Sequence, residues 1–156
     1  IGAAVNDQFG ISVAAAGDVI AAGAYLADTA VNQGSAYIFN LSGRVFNPKG
    51  RLIASDGVAD DQFGISAAID GDVIVVGVWG NNGWKGAAYV FERNAGGTNA
   101  WGQVRKLTAS DSAANDYFGR SVAMWGDVIV AGAYGDDTNR GSVYVFDRNL
   151  GGTNAW

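Results

Sequence analysis

Residues 63–91 read FGISAAIDGDVIVVGVWGNNGWKGAAYVF, and this stretch decides the fold. It opens on Phe63-Gly64 and passes through small and apolar residues to Gly71-Asp72. It then continues as the unbroken apolar run Val73-Ile74-Val75-Val76. A two-residue turn with Gly in first position, between two such runs, is a hairpin signal. A continuous apolar run of strand length predicts a strand covered on both faces. After a polar loop comes Tyr89-Val90-Phe91, a third strand. Residues two apart in a strand share a face, so Tyr89 and Phe91 should point one way and Val90 the other.

The same order recurs on either side. Phe9-Gly10, Phe63-Gly64 and Phe118-Gly119 stand 54 and 55 residues apart. Gly-Asp-Val-Ile follows each of them, at 17–20, 71–74 and 126–129, and then an aromatic triplet: Tyr37-Ile38-Phe39, Tyr89-Val90-Phe91 and Tyr144-Val145-Phe146. A fourth strand is expected over Arg51 to Ala54 in the first copy and Arg105 to Ala109 in the second. Pro48 should fall just before the first of these, on an outer strand where a missing N–H is tolerated. The Gly96-to-Trp101 stretch returns as Gly151 to Trp156, but the residues equivalent to Gly102 through Ala109 do not. The expected architecture is all-β: a β-propeller segment of three four-stranded antiparallel blades, the last lacking its outer strand. The blades divide at 1–55, 56–110 and 111–156. Radial packing of such sheets lets each blade bury its neighbour's apolar face. A stacked solenoid is the rival, but its repeats are usually shorter.

Composition supports this and excludes much else. Twenty-four Gly, one Pro and a single Glu (Glu92) against fourteen Asp favour turns over helices. The net charge of −5, with no basic cluster, argues against a nucleic-acid partner. No apolar run approaches the length of a membrane span. With no His and no Cys, a Ser-His-Asp triad, a Cys nucleophile and a His-ligated metal are excluded within the chain. The adjacent pairs Asp60-Asp61 and Asp136-Asp137 read as solvated turn residues. No catalytic residue, metal or cofactor is therefore assigned, and the chain is not expected to be an enzyme.

These motifs resemble the FG-GAP repeats of integrin α-subunit heads and their bacterial relatives. Phe-Gly occurs three times, and the second half of the motif stands as Gly23-Ala24-Tyr25, Gly77-Val78-Trp79 and Gly132-Ala133-Tyr134, with an aromatic residue in place of Pro. The Lys106-to-Asp111 and Gly96-to-Trp101 stretches are most similar to the bacterial branch without calcium loops. The resemblance implies a ring of about seven blades, an extracellular or cell-surface location, and adhesion or ligand binding. Calcium-binding members carry an acidic loop between the first two strands. Here that connection is a two-residue turn, too short to offer six or more oxygens, so no calcium site is carried over.

Two sets of residues invite a functional reading. Tyr25, Trp79 and Tyr134 stand at equivalent exits of the second strand. They form either a platform for sugars or a partner, or packing between blades. The loops Leu26 to Gln33, Gly80 to Lys85 and Gly135 to Arg140 differ between copies, and variable loops on a regular scaffold build specificity. Trp84, within one of them, has no periodic counterpart, and Asp136 and Asp137 lie in another. The candidate ligand-binding set is therefore Trp84, Trp79, Tyr25, Tyr134, Asp136 and Asp137. The Asp or Asn before each Phe-Gly, in Asn6-Asp7, Asp60-Asp61 and Asn115-Asp116, reads either as a ring of oxygen ligands at one mouth of the channel or as turn residues accepting backbone N–H groups. The second is favoured, because a structural need repeats with every blade.

Two apolar blade faces and a strand edge near Gly141 to Asp147 are expected to lack partners. The expected partners are a second copy, forming a two-fold six-bladed ring or a head-to-tail assembly, or the remaining blades of a longer chain. A glycan or protein ligand is a further expectation. The function so read is a non-catalytic, extracellular-type module for adhesion, recognition or assembly. The alternatives are a purely structural half-propeller and a lectin-like propeller.

Overall fold

The computed structural model describes residues 3–27, 31–150 and 156. The first sheet contains β1 (Val13–Ala16), β2 (Val19–Ala24), β3 (Ser35–Ser42) and β4 (Val45–Leu52). The second contains β5 (Phe63–Asp70), β6 (Val73–Val78), β7 (Ala87–Glu92) and β8 (Gly102–Leu107). Among the described residues the third has three strands, β9 (Phe118–Trp125), β10 (Val128–Ala133) and β11 (Ser142–Asp147). Neighbouring strands are antiparallel and follow chain order in every sheet. The all-β propeller segment expected from the repeats is what the chain forms.

The hairpin turns arise where the Gly-Asp pairs stand. Asp70 pairs with Val73, leaving only Gly71-Asp72 between the strands, and Gly71 takes a φ of 53°. A β-carbon is disfavoured there, which is why Gly leads each turn. The outer strands sit further upstream than the sequence suggests. β4 begins at Val45, so Pro48 lies inside it, and β8 begins at Gly102. Both carry a bulge at the same place: Ile38 pairs with Gly50 and Phe39 with Pro48, while Val90 pairs with Arg105 and Phe91 with Gln103. A bulge on an outer strand absorbs the proline without breaking the ladder. The first strand starts at Val13, whereas β5 and β9 start at their Phe, because Gly10 and Ser12 are engaged outside the regular ladder by Gly23.

Two further segments form single turns, α1 (Asn81–Trp84) and α2 (Asp136–Asn139), whose middle residues are left-handed. In the first loop between strands two and three, residues 28–30 fall outside the described residues, as do residues 151–155 of the repeated Gly-Gly-Thr-Asn-Ala stretch.

Side-chain alternation assigns each blade two apolar faces. Ile74, Val76, Tyr89 and Phe91 pack with Val19, Ala21 and Ile38 of the first blade. Val73, Val75, Ala88 and Val90 pack with Phe118, Ile129 and Ala131 of the third. All six residues of β6 are buried, as its unbroken apolar sequence predicts. The front of one blade, with its Tyr and Phe, thus meets the aliphatic back of the blade before it. Burial at roughly 25 cal/mol per Å² of apolar surface makes these two interfaces the main source of stability.

The Phe-Gly motif locks each interface. Phe63 is fully buried, with its ring 5.9 Å from Tyr89 and 6.0 Å from Phe91. Its N–H donates to Gln33 O of the first blade at 2.8 Å, and Ser12 Oγ donates to Gly64 O at 2.8 Å. One blade on, Phe118 N–H donates to Lys85 O at 3.0 Å and Ser66 Oγ donates to Gly119 O at 2.7 Å. At the opposite, hairpin end, ion pairs cross the same interfaces. Arg93 lies 2.6 Å from Asp72 of its own blade and 3.5 Å from Asp18 of the first. Arg148 bridges Glu92 of the second blade and Asp127 of its own.

Candidate functional site

Chain exit from β6 and from β10 places Trp79 and Tyr134 at the same end as the Phe-Gly turns. Trp84, at the close of α1, meets Trp79 edge-on with ring centroids 5.6 Å apart. Trp79 in turn lies 5.7 Å from Tyr117, and Tyr117 stacks flat on Tyr134 at 4.8 Å with 5° between the planes. The four rings form a continuous row across the boundary between the second and third blades. Trp79 Nε1 donates to Gln62 Oε1 at 2.6 Å, and the Arg120 guanidinium sits 5.1 Å above its ring. Edge-on and stacked aromatic pairs of this kind favour fixed geometry beyond the area they bury.

The row answers part of the sequence reading. Trp79, Trp84 and Tyr117 are half-buried between blades, whereas Tyr134 at the end of the row is 50% exposed. Tyr25 is the first-blade equivalent and is half-buried. Tyr117 and Arg120 were not anticipated. The signal was present, since Tyr117 occupies the position before Phe-Gly where the other copies have Gln8 and Gln62.

Asp136 and Asp137 lie beside this row, lining with Asp111 and Tyr117 an open polar cleft of about 680 Å³. Asp136 is buried and accepts from Tyr144 Oη at 3.0 Å and from Asp137 N–H at 2.8 Å. Hydrogen bonds from Ser142, Tyr144 and Asp137 N–H hold its carboxyl below the usual aspartate range, against the opposing effect of burial. Asp137 is exposed. The buried Asp7, Asp61 and Asp116 accept backbone N–H groups three residues back, from Ala4, Val58 and Ala113. They are turn residues, as expected. Asp61 and Asp136, expected to be solvated, are instead buried, because each carboxylate is taken up by hydrogen bonds from its own loop and blade.

The FG-GAP repeat profile matches residues 2–39, 46–91 and 101–146. The chain belongs to the FG-GAP repeat family. No curated protein matches it. In FG-GAP terms, the family's Phe-Gly pair is here the interblade lock, and the aromatic residues ending its second half, Trp79 and Tyr134, stand within the row and at its end.

A second charged network ties the entry of each of the second and third blades to its own sheet and shapes the pH response. Tyr89 Oη donates to Asp56 at 2.7 Å, and Lys106 Nζ lies 2.7 Å from the other oxygen of the same carboxylate. The hydrogen bond from Lys106 leads in lowering the Asp56 pKa, with Tyr89 adding to it. Burial and the facing carboxylates push the Tyr89 and Tyr144 hydroxyls up. A depressed carboxyl adds stability that is present above its unfolded pKa, about 3.9, and is lost as pH falls through the folded value. A raised phenol adds stability that is present below about pH 10 and is lost as pH rises. Thermal unfolding followed from pH 2 to 11 should therefore show a plateau with losses at both ends. Asp56→Asn should flatten the acid limb relative to wild type, and an unchanged acid limb would contradict this assignment.

Proposed function

We propose that this FG-GAP chain is a non-catalytic, extracellular-type recognition and assembly module that acts by packing its outermost blade faces against another blade. The observation that carries this reading is a difference between equivalent residues. Val143 and Val145 of β11 are 68% and 64% exposed, whereas Ala88 and Val90 of β7 are buried at the corresponding places. Trp125, at the end of β9, is 82% exposed. Contiguous apolar surface of this kind marks interaction sites. The partner is a second copy or further blades of the same ring. Sedimentation in solution tests the first, since a stable monomer of 16.1 kDa over the micromolar range would overturn self-association.

A lectin-like reading is favoured by one separate observation, the half-exposed Tyr134 ring held flat on Tyr117 beside the Asp136–Asp137 cleft. Such a platform suits the apolar face of a sugar flanked by hydroxyl-accepting carboxylates. A glycan array checks it. Binding lost in Tyr134→Ala would support the reading, and an array without signal would remove it.

A further inference from the structure

We propose that the back of the third blade is a socket for Phe9-Gly10 of a second copy, so that two chains close a six-bladed ring head to tail. The inference rests on the self-association reading above and specifies its contact.

The two interfaces inside the chain define what such a socket is. In the first blade, Ser12, Gly23 and Gly34 receive Phe63-Gly64. A β-carbon on Gly23 would stand 1.9 Å from Gly64 O, and one on Gly34 would stand 2.2 Å from Phe63 O. In the second, Ser66, Gly77 and Gly86 receive Phe118-Gly119 with nearly the same spacings, 1.9 Å to Gly119 O and 2.0 Å to Phe118 O. The glycines are absences of side chain shaped to the incoming backbone. The third blade repeats the set as Ser121, Gly132 and Gly141, in register on β9, β10 and the start of β11. There the same positions line an open cleft of about 440 Å³, with Tyr134 and Val143 at its sides. A β-carbon on Gly132 would crowd nothing but the Ser121 side chain.

The matching plug is already built at the other end of the blade row. Phe9 lies edge-on to Tyr37 at 5.6 Å and to Phe39 at 6.1 Å, as Phe118 does to Tyr144 and Phe146 at 5.5 and 6.0 Å. The approach to it has the same left-handed backbone, with φ of 75° at Asn6 and 53° at Gln8 against 63° and 60° at Asp60 and Gln62. Phe63 and Phe118 are fully buried, but Phe9 is 44% exposed. In the docked pair, Phe9 N–H donates to Arg140 O, the equivalent of Lys85 O, and Ser121 Oγ donates to Gly10 O. Two copies of these three blades make six, within the about four to eight blades of a closed propeller. The ion-pair crossing is missing from this contact, since Leu41 stands where Arg93 and Arg148 stand in the other blades. With no ion pair to screen and a net charge of −5 on each chain, added salt should not weaken association.

Sedimentation of wild type and Gly132→Val tests the proposal. Gly132 lies outside the left-handed region, so valine is compatible with its strand; it turns the Ser121 hydroxyl aside and fills the space the partner backbone needs. Wild type should sediment at about twice 16.1 kDa and not dissociate on adding salt, while Gly132→Val sediments as a monomer with wild-type circular dichroism. Phe9→Ala should weaken the dimer at least tenfold from the other side. A dimer that persists in both variants would overturn the socket and leave self-association standing. A monomeric wild type would overturn both. If Gly132→Val unfolds, Phe9→Ala alone decides the matter, because its site is exposed and its fold should survive.

Discussion

Gly77→Ala should destabilise the chain by about 3 kcal/mol, at the upper end of what overpacking a close-packed site costs. The argument is steric. Gly77 lies outside the left-handed region, so alanine imposes no backbone strain, and its propensity in a strand interior is if anything better than that of Gly. The new β-carbon would nevertheless sit 1.9 Å from Gly119 O, 3.0 Å from Gly119 C and 2.2 Å from Ser66 Oγ. Serine can rotate away, but only by surrendering the 2.7 Å bond from Ser66 Oγ to Gly119 O. The carbonyl belongs to the chain that enters the next blade and moves only if the interface opens. Gly132→Ala is the internal control, because there the β-carbon meets the Ser121 Oγ at 2.5 Å and no backbone closer than 4.0 Å. It should fall within about 1 kcal/mol of wild type. Urea midpoints of the two variants, taken at concentrations where the chain is monomeric, make the comparison. Equal losses would mean that the close approach is not what requires glycine at these positions.

That comparison also shows where the sequence speaks and where it is silent. The glycines recur at fixed spacing, so the repeat and its strands can be read directly, and the alternation in Tyr89-Val90-Phe91 assigns both faces of β7 correctly. Strand period and turn chemistry are local properties, and local properties are legible. Why Gly77 is glycine is not local, since the atom that forbids a β-carbon lies 42 residues away at Gly119. The outer strands start earlier than their local sequence suggests for a related reason. β8 reaches back to Gly102 because it follows the length of β7, and pairing rather than propensity sets its start. In the aromatic row, Trp79 and Tyr134 were legible as repeat positions. Tyr117 was not, because it departs from the repeat and its value comes from the two rings it joins across a blade boundary.

Phe118→Ala should cost about 4 kcal/mol, against about 1 kcal/mol for Phe9→Ala, although the two residues hold the same place in their repeats. Sequence gives no reason to separate them. Burial does. Phe118 is fully buried, edge-on to Phe146 at 6.0 Å and 87°, and packed with Val75, Val90 and Ile129 on the two sides of the interface. Truncating it removes the transfer energy of the ring and leaves a cavity that two sheets, each tied by its own ladder, cannot collapse to fill. It also frees the backbone that carries Phe118 N–H to Lys85 O, so the third blade should loosen from the second as the core is lost. Phe9 keeps its edge-on contacts with Tyr37 and Phe39 but has solvent on its other side, so its removal opens no enclosed space. Phe118→Leu, which restores most of the volume but not the edge-on geometry, should fall between them. Denaturant unfolding at monomer concentration ranks the three variants. If Phe9→Ala costs as much as Phe118→Ala in the monomer, then the first blade already encloses its phenylalanine, and no open plug remains for a partner to take.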